Sequence, residues 1–335
     1  MITRETLEKY DPQGMHKVYD RWPQIAKDAY TSEIESVDFK DIDHVVFSGM
    51  GGSGSVGDLF SSILSKTNIH TTVVKGYVLP KTVDENTLVV ATSVSGDTAE
   101  TLSTLESANT KNCKVIGFSS GGMMESFCVK NNIEFRKIPK IHSPRASFPN
   151  FVYSILKTLN SIIPINSNEI SQSIESLENL SQKISSANLS ETNPSLDLTN
   201  WIGVPVIYYP WGLQAAAIRF KNSLQENAKT HAIVEDVIES GHNGIVSWEK
   251  PSEMIPIMIE GTDDHPKTKE RWNIMRQYFD ENTINYKEIF SVDGGILSKI
   301  VCLIYLLDYS SIYHAVKSGI DPSPIKSIDF IKKRL

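Results

Sequence analysis

Two stretches of the chain place uncharged hydroxyls in glycine-rich loops directly after apolar runs. The first is Val45-Val46-Phe47-Ser48-Gly49-Met50-Gly51-Gly52-Ser53-Gly54, and the second is Ser93-Val94-Ser95-Gly96-Asp97-Thr98. Loops with so little side-chain bulk let backbone N–H groups at the start of the next helix approach an anion closely. Serine and threonine hydroxyls add donors there without adding charge. Two such loops in one half of the chain suit a phosphate ester, with Ser93, Ser95 and Thr98 converging on it and Gly52 and Ser53 completing the ring. Taken singly, Ser95 or Thr98 is equally well read as a helix cap, because both residue types are favoured at that position.

Three further residues could act on a substrate held in this way. In a helix read over 212–228, Leu213, Ala217, Phe220 and Leu224 form an apolar stripe. Arg219, Asn222 and Glu226 then fall on another face, which turns Glu226 away from the core. An acid so placed is ordinarily a solvated carboxylate unless partners converge on it. The loop Glu239-Ser240-Gly241-His242-Asn243-Gly244 offers one: a loop histidine titrates near neutrality and can shuttle the proton that sugar-ring opening requires. Arg145, in Pro144-Arg145-Ala146-Ser147-Phe148-Pro149, stands at a predicted helix start and suits a developing oxyanion, or else a salt bridge.

Gly49, Gly51 and Gly54 also spell G-x-G-x-x-G, the dinucleotide fingerprint. That reading needs an acid after the second strand to hold a ribose, and here Val74 runs into Lys75-Gly76-Tyr77. An NAD(P)-dependent dehydrogenase is therefore the lesser alternative. No H-E-x-x-H, paired C-x-x-C or clustered carboxylate and histidine pattern points to a metal.

The elements that must position these residues alternate. Apolar or β-branched runs at 45–49, 71–78, 88–93, 114–118 and 133–137 read as strands between helical segments, which predicts a mostly parallel sheet covered on both faces. A helix from about Ala146 to Ile163 closes this half. The Ser/Asn-rich stretch 164–200 carries Ile170, Ile174, Leu177, Leu180 and Ile184 at helical spacing, a connection that packs. Beyond it a strand at Val204–Tyr209, a helix to about Ala228, a strand at 255–259, a helix at 265–280, a strand at 285–290 and a helix at 295–317 repeat the alternation. Two α/β domains are expected, residues 1–163 and 164–335, the second including the connecting helix and a C-terminal helix.

Bulk properties agree with this division. The 335 residues, 40% of them hydrophobic, suffice for two cores. A formal charge of −7 argues against an extended nucleic-acid surface, although backbone dipoles still make a local anion site. Cys113, Cys128 and Cys302 lack metal-ligand spacing and are read as packing residues of a protein kept in a reducing cytoplasm. The start Met1-Ile2-Thr3-Arg4-Glu5 has no signal-peptide core, and no segment is read as reaching membrane-spanning length, so no membrane partner is expected.

Taken together, the two glycine loops, Pro144-Arg145-Ala146, Gln225-Glu226-Asn227-Ala228-Lys229 and Gly241-His242-Asn243 resemble, in order and spacing, the archaeal bifunctional phosphoglucose/phosphomannose isomerases. The resemblance continues through Leu303–Ser311 and Gly319-Ile320-Asp321-Pro322. It implies two sugar-isomerase (SIS) domains, each a flavodoxin-like α/β/α sandwich with a mostly parallel sheet, in a homodimer with its active sites near the subunit interface. It implies hexose 6-phosphate substrates, no nicotinamide and no metal. Ser53, Ser93, Ser95 and Thr98 would hold the phosphate, Glu226 would move a proton between C1 and C2, and Arg145 would steady a cis-enediolate. His242, from the other subunit, would open the ring with help from Lys299, and small residues near Ser291 would leave room for both C2 epimers. One departure stands out: many relatives carry Asn before the histidine and Asn-Glu after it. This chain has Gly241 and Asn243-Gly244, which leaves Glu239 as the acid to substitute. A non-catalytic sugar-phosphate sensor is the alternative from another class.

Overall fold

The computed structural model describes residues 2–334 and contains two all-parallel sheets. The first comprises β1 (His44–Ser48), β2 (His70–Val74), β3 (Thr87–Ser93), β4 (Lys114–Ser119) and β5 (Glu134–Lys137), in the order β2-β1-β3-β4-β5. Every residue of β1 and β3 is buried, as strands covered on both faces require, whereas the edge strands β2 and β5 carry His70, Thr71, Glu134 and Lys137 and are partly exposed. Alternation fixes what each face meets. Val46 and Val89 join a cluster with Val74, Leu79 and Ala108, while Phe47, pointing the opposite way, stacks on Phe60 of helix Gly51–Leu64 with ring centroids 5.5 Å apart.

The second sheet comprises β6 (Val204–Tyr209), β7 (Ile233–Asp236), β8 (Met254–Glu260) and β9 (Lys287–Phe290), ordered β7-β6-β8-β9. This repeats the order of the first sheet without its fifth strand. Its core gathers Val206, Tyr208, Met258, Trp248, Trp272 and Phe279. By backbone contacts, Arg21–Glu175 with Gly295–Ser298 form one unit, and Met1–Asp20, Ser176–Gly294 and Lys299–Leu335 form the other.

Most expected elements are present with small shifts in their ends. The helix expected from Ala146 to Ile163 runs Phe148–Thr158, and the connecting helix runs Ser167–Ile184 with Ile170, Leu177, Leu180 and Ile184 buried. Three N-terminal helices, Arg4–Tyr10, Met15–Asp20 and Trp22–Thr31, and strand β7 were not anticipated. Contrary to expectation, Ile296–Lys317 is long and apolar enough to cross a membrane, but 89% of its apolar window is buried within the protein, as in a core helix. Cys128 and Cys302 are free and buried, and burial pushes their thiols up to about 11 and about 12, in keeping with packing roles.

Candidate active site

The strand order reverses direction between β1 and β3, and in open parallel sheets ligands bind in the crevice beyond the carboxyl ends of strands at such a point. Both glycine loops leave the sheet there. Helix Gly51–Leu64 follows β1 and helix Ala99–Asn109 follows β3, and neither Met50 nor Thr98 caps its helix with a side-chain bond. The first N–H groups of both helices therefore lie beside the loops with their dipoles favouring an anion.

The hydroxyls of the two loops interlock. Ser53 Oγ accepts the Val94 N–H at 3.3 Å, which ties the first loop to the second. Ser93 and Thr98 share a hydrogen bond of 2.9 Å, and Ser93 Oγ also accepts the Gly96 N–H at 3.1 Å. Ser95 Oγ accepts the Asp97 N–H at 3.2 Å within the loop. Thr98 stands at the N-cap position, yet its hydroxyl bonds Ser93 rather than its own helix, so the plain capping alternative does not describe it. Ser53 and Ser93 are 6% and 1% exposed, while Ser95 faces solvent.

Two glycines make this packing possible. Gly96 has φ +82, and a Cβ there would lie 1.8 Å from the Gly121 carbonyl oxygen. A Cβ on Gly52 would lie 3.2 Å from the Pro144 carbonyl oxygen and 3.4 Å from Arg145 Cα, so the first loop rests directly on the Pro144–Arg145 backbone. Arg145, 2% exposed, is thus brought beside Gly52 and Ser53. At the position where a dinucleotide site needs an acid, Lys75 ion-pairs with Asp58 at 2.6 Å.

The other three candidates lie in the second unit. Helix Gln214–Ser223 passes directly into a π turn, Leu224–Ala228, and Glu226 is half-buried within it. The apolar stripe of Leu213, Ala217, Phe220 and Leu224 is buried as expected, but the polar face is not solvent-facing throughout. Arg219 is 1% exposed and donates to Asp308 at 2.7 Å. A periodicity argument identifies one buried face; it cannot detect a second face that packs on a helix far along the chain.

Lys299 is 6% exposed near the start of helix Ile296–Lys317 and ion-pairs with Asp263, an acid that sequence reasoning missed. Ser291 is buried, and its hydroxyl accepts the Thr262 N–H at 3.2 Å, anchoring the same loop. His242 is exposed between helix Val237–Ser240 and the 3₁₀ segment Gly244–Glu249.

The glycines flanking His242 each accommodate a side chain. A Cβ on Gly241 would lie 2.0 Å from Arg271 Nη1, and one on Gly244 would lie 2.3 Å from Glu235 Oε2. Glu239 meanwhile accepts from Asn243 Nδ2 at 2.7 Å. Glu235, whose carboxyl is pushed up by burial, is therefore a second acid at this loop. It was missed because it lies on the unanticipated strand β7. The apolar run Ala232-Ile233-Val234 was the available signal.

At the end of β8, Glu260 is 5% exposed and accepts from Arg276, which also donates to Glu288. Burial pushes the Glu260 carboxyl up to about 7 despite Arg276. In the unfolded chain the group ionises near 4.5, so between about pH 4.5 and 7 the folded state holds a proton that the unfolded state has released. Stability contributed by this site therefore falls as pH rises through that window, by at most ~1.4 kcal/mol per pH unit. Urea denaturation at pH 5, 6 and 7 should show this decline in the wild type and a flatter profile in Glu260→Gln; an opposite slope difference would overturn the assignment. Among the described residues, no three His, Cys, Asp or Glu side chains are grouped to hold a metal ion.

Comparison with known proteins agrees with this architecture. Residues 38–141 match the model of the SIS domain, and residues 191–335 match that of the bacterial phospho-glucose isomerase C-terminal SIS domain, one on each sheet. A bifunctional phosphoglucose/phosphomannose isomerase of Caldicellulosiruptor bescii is 34% identical over 95% of this chain and 97% of its own length. Another, from Aquifex aeolicus, is 28% identical over 96% of each. The crystal structure of a hypothetical protein from Thermus thermophilus superposes with a TM-score of 0.72 over 98% of this chain and 91% of that one; at 13% identity it bears on the fold alone. The C-terminal model is described as bacterial, so none of this assigns the chain an archaeal origin.

Proposed function

The chain belongs to the family of bifunctional phosphoglucose/phosphomannose isomerases, and from that membership we propose that it interconverts fructose 6-phosphate with glucose 6-phosphate and with mannose 6-phosphate through a cis-enediolate. As a SIS-domain phosphosugar isomerase it takes a hexose phosphate. The observation that carries the finer reading is the interlocked cradle of Ser53, Ser93 and Thr98 at the β1/β3 reversal, with Arg145 packed beside it.

Each residue type suits its assigned step. The phosphate sits among Gly52, Ser53, Ser93, Ser95 and Thr98, whose hydroxyls can rotate from one another to the incoming oxygens while the two helix N-termini offset the charge. His242, supplied by the partner subunit of a homodimer, transfers the proton that opens the ring, and Lys299 assists. Glu226 then removes the proton alpha to the carbonyl, at C2 of the aldose or C1 of the ketose, and returns it to the neighbouring carbon. That hydrogen is too weakly acidic to leave unless the resulting oxyanion meets fixed donors, and Arg145 is the group assigned to it. Glucose and mannose 6-phosphate differ only in configuration at C2. Rotation about C2–C3 of the opened sugar presents either epimer's proton to the same carboxylate.

A coupled assay with fructose 6-phosphate in D₂O tests the reading. Both glucose and mannose 6-phosphate should form, with solvent deuterium at C2 in the fraction of turnovers in which the proton held on the base exchanges before its return, and the rate should survive exhaustive EDTA treatment. Ligand-raised thermal stability without any turnover would overturn the enzyme in favour of a sensor. Stabilisation by a nicotinamide dinucleotide instead would revive the dehydrogenase.

A further inference from the structure

The course of the backbone does not require the two glycines beside His242. Gly241 has φ −68 and ψ −6, a right-handed conformation open to any residue, and neither Gly241 nor Gly244 has a positive φ. A side chain at either would instead meet a charged group from a neighbouring element. Arg271 Nη1, on helix Pro266–Glu281, lies 2.0 Å from the place of a Gly241 Cβ, and Glu235 Oε2, on β7, lies 2.3 Å from the place of a Gly244 Cβ. A guanidinium and a carboxylate thus rest on the backbone immediately before His242 and two residues after it.

Ion pairing does not account for either group. On the same helix Lys267 pairs with Glu270, and Arg276 pairs with Glu260 and Glu288, whereas Arg271, half-buried, pairs with no acid among the described residues. Glu235 Oε2 is buried and accepts no hydrogen bond among them. Buried polar atoms are nearly always bonded, so one that is not points to a use other than stability. The turn takes its shape from bonds of its own. Asp236 caps helix Val237–Ser240 by accepting the Ile238 and Glu239 N–H groups at 2.8 and 3.1 Å, and the N–H groups of His242 and Asn243 donate to the Glu239 and Ser240 carbonyls at 2.9 and 3.2 Å. Where this turn lies depends on what it rests against. Val237 before it and Trp248 after it share a core with Trp272, the neighbour of Arg271.

We propose that Arg271 and Glu235 are positioning residues for His242, seating its turn from both sides and so fixing where the imidazole is presented. The proposal rests on the reading of His242 as the group that opens the sugar ring. An unseated turn would keep its internal bonds and shift as a body. A displacement of about 1 Å is enough to cost a positioned proton transfer roughly 100-fold.

Anomer interconversion isolates the step, because α- and β-glucose 6-phosphate exchange through the open chain without any proton transfer between C1 and C2. Exchange NMR, corrected for the spontaneous rate, should show the enzyme-catalysed exchange slowed at least about tenfold in Arg271→Ala and in Glu235→Ala, with thermal stabilisation by fructose 6-phosphate retained. The methyl of Gly241→Ala meets only the end of a flexible side chain, so it evicts the guanidinium without straining the fold and should slow exchange as Arg271→Ala does. Combining these two substitutions should cost no more than either alone, since both remove one contact. A wild-type exchange rate in either Arg271→Ala or Glu235→Ala would overturn the proposal. Additive losses in the combined variant, or losses that only track a fall in melting temperature, would do the same. His242→Ala, measured in parallel, separates the two failures. If it abolishes exchange while the Arg271 and Glu235 variants retain it, only the seat is wrong; if it too keeps the wild-type rate, the reading of His242 falls and the seat with it.

Discussion

Glu226→Gln should lower kcat for glucose and mannose 6-phosphate alike by about 10³-fold, the range that a positioned proton-transfer group supplies. The substitution preserves size and shape and removes only the basic oxygen. Because Glu226 is half-buried and set in a turn whose anchors are its neighbours Ser223 and Asn227, the fold should be little disturbed. Binding is assigned to hydroxyls of the other unit, so the stabilisation of the variant by fructose 6-phosphate in a thermal melt should match that of the wild type. Loss of turnover with retained binding is the signature of an interaction needed in the transition state rather than the ground state. A variant retaining more than about a tenth of the wild-type kcat would remove Glu226 from the role of base, since even modest general-base catalysis exceeds that factor.

The parts of the site legible in the sequence are those that depend on local chain chemistry. Ser53, Ser93 and Thr98 could be singled out because each ends or follows a strand so apolar that its burial was never in question, and the loop after such a strand must supply a helix start. Strand order needed more than this, yet the alternation of elements restricts it to a few right-handed parallel arrangements, and the reversal between β1 and β3 belongs to one of them. What escaped was set by contacts distant in sequence. Arg219 looks like a surface residue until Asp308, 89 positions away, is brought against it. Strand β7 has four residues at a sheet edge, half of them charged, and gives no periodic signal of its own. Glu235 was lost with it, and so was its contact with Gly244, where a Cβ would lie 2.3 Å from the acid's Oε2. The π turn is invisible in composition, since Leu224-Gln225-Glu226-Asn227-Ala228 is good α-helical sequence. Tertiary hydrogen bonds flank it on either side, from Ser223 to Asp308 and from Asn227 to Ser311.

Those same bonds lead to the second large effect, on stability. Asp308→Ala should cost about 3–5 kcal/mol, the penalty for stranding one member of a buried ion pair. Burial opposes the charge on Arg219, but the adjacent carboxylate outweighs it and holds the guanidinium above its ordinary pKa, so the arginine cannot escape by losing its proton. Removing Asp308 also takes the acceptor from the Tyr19 hydroxyl, which donates to it at 3.0 Å, and from Ser223. Replacing both charges by apolar groups of similar volume, Arg219→Met with Asp308→Leu, should recover most of the loss in urea denaturation, because desolvating the pair offsets much of its attraction. If the single variant lost less than about 1 kcal/mol, the pair would be behaving as a solvated surface bridge, contrary to its burial. If the double variant regained stability and full kcat together, the pair would matter only for folding.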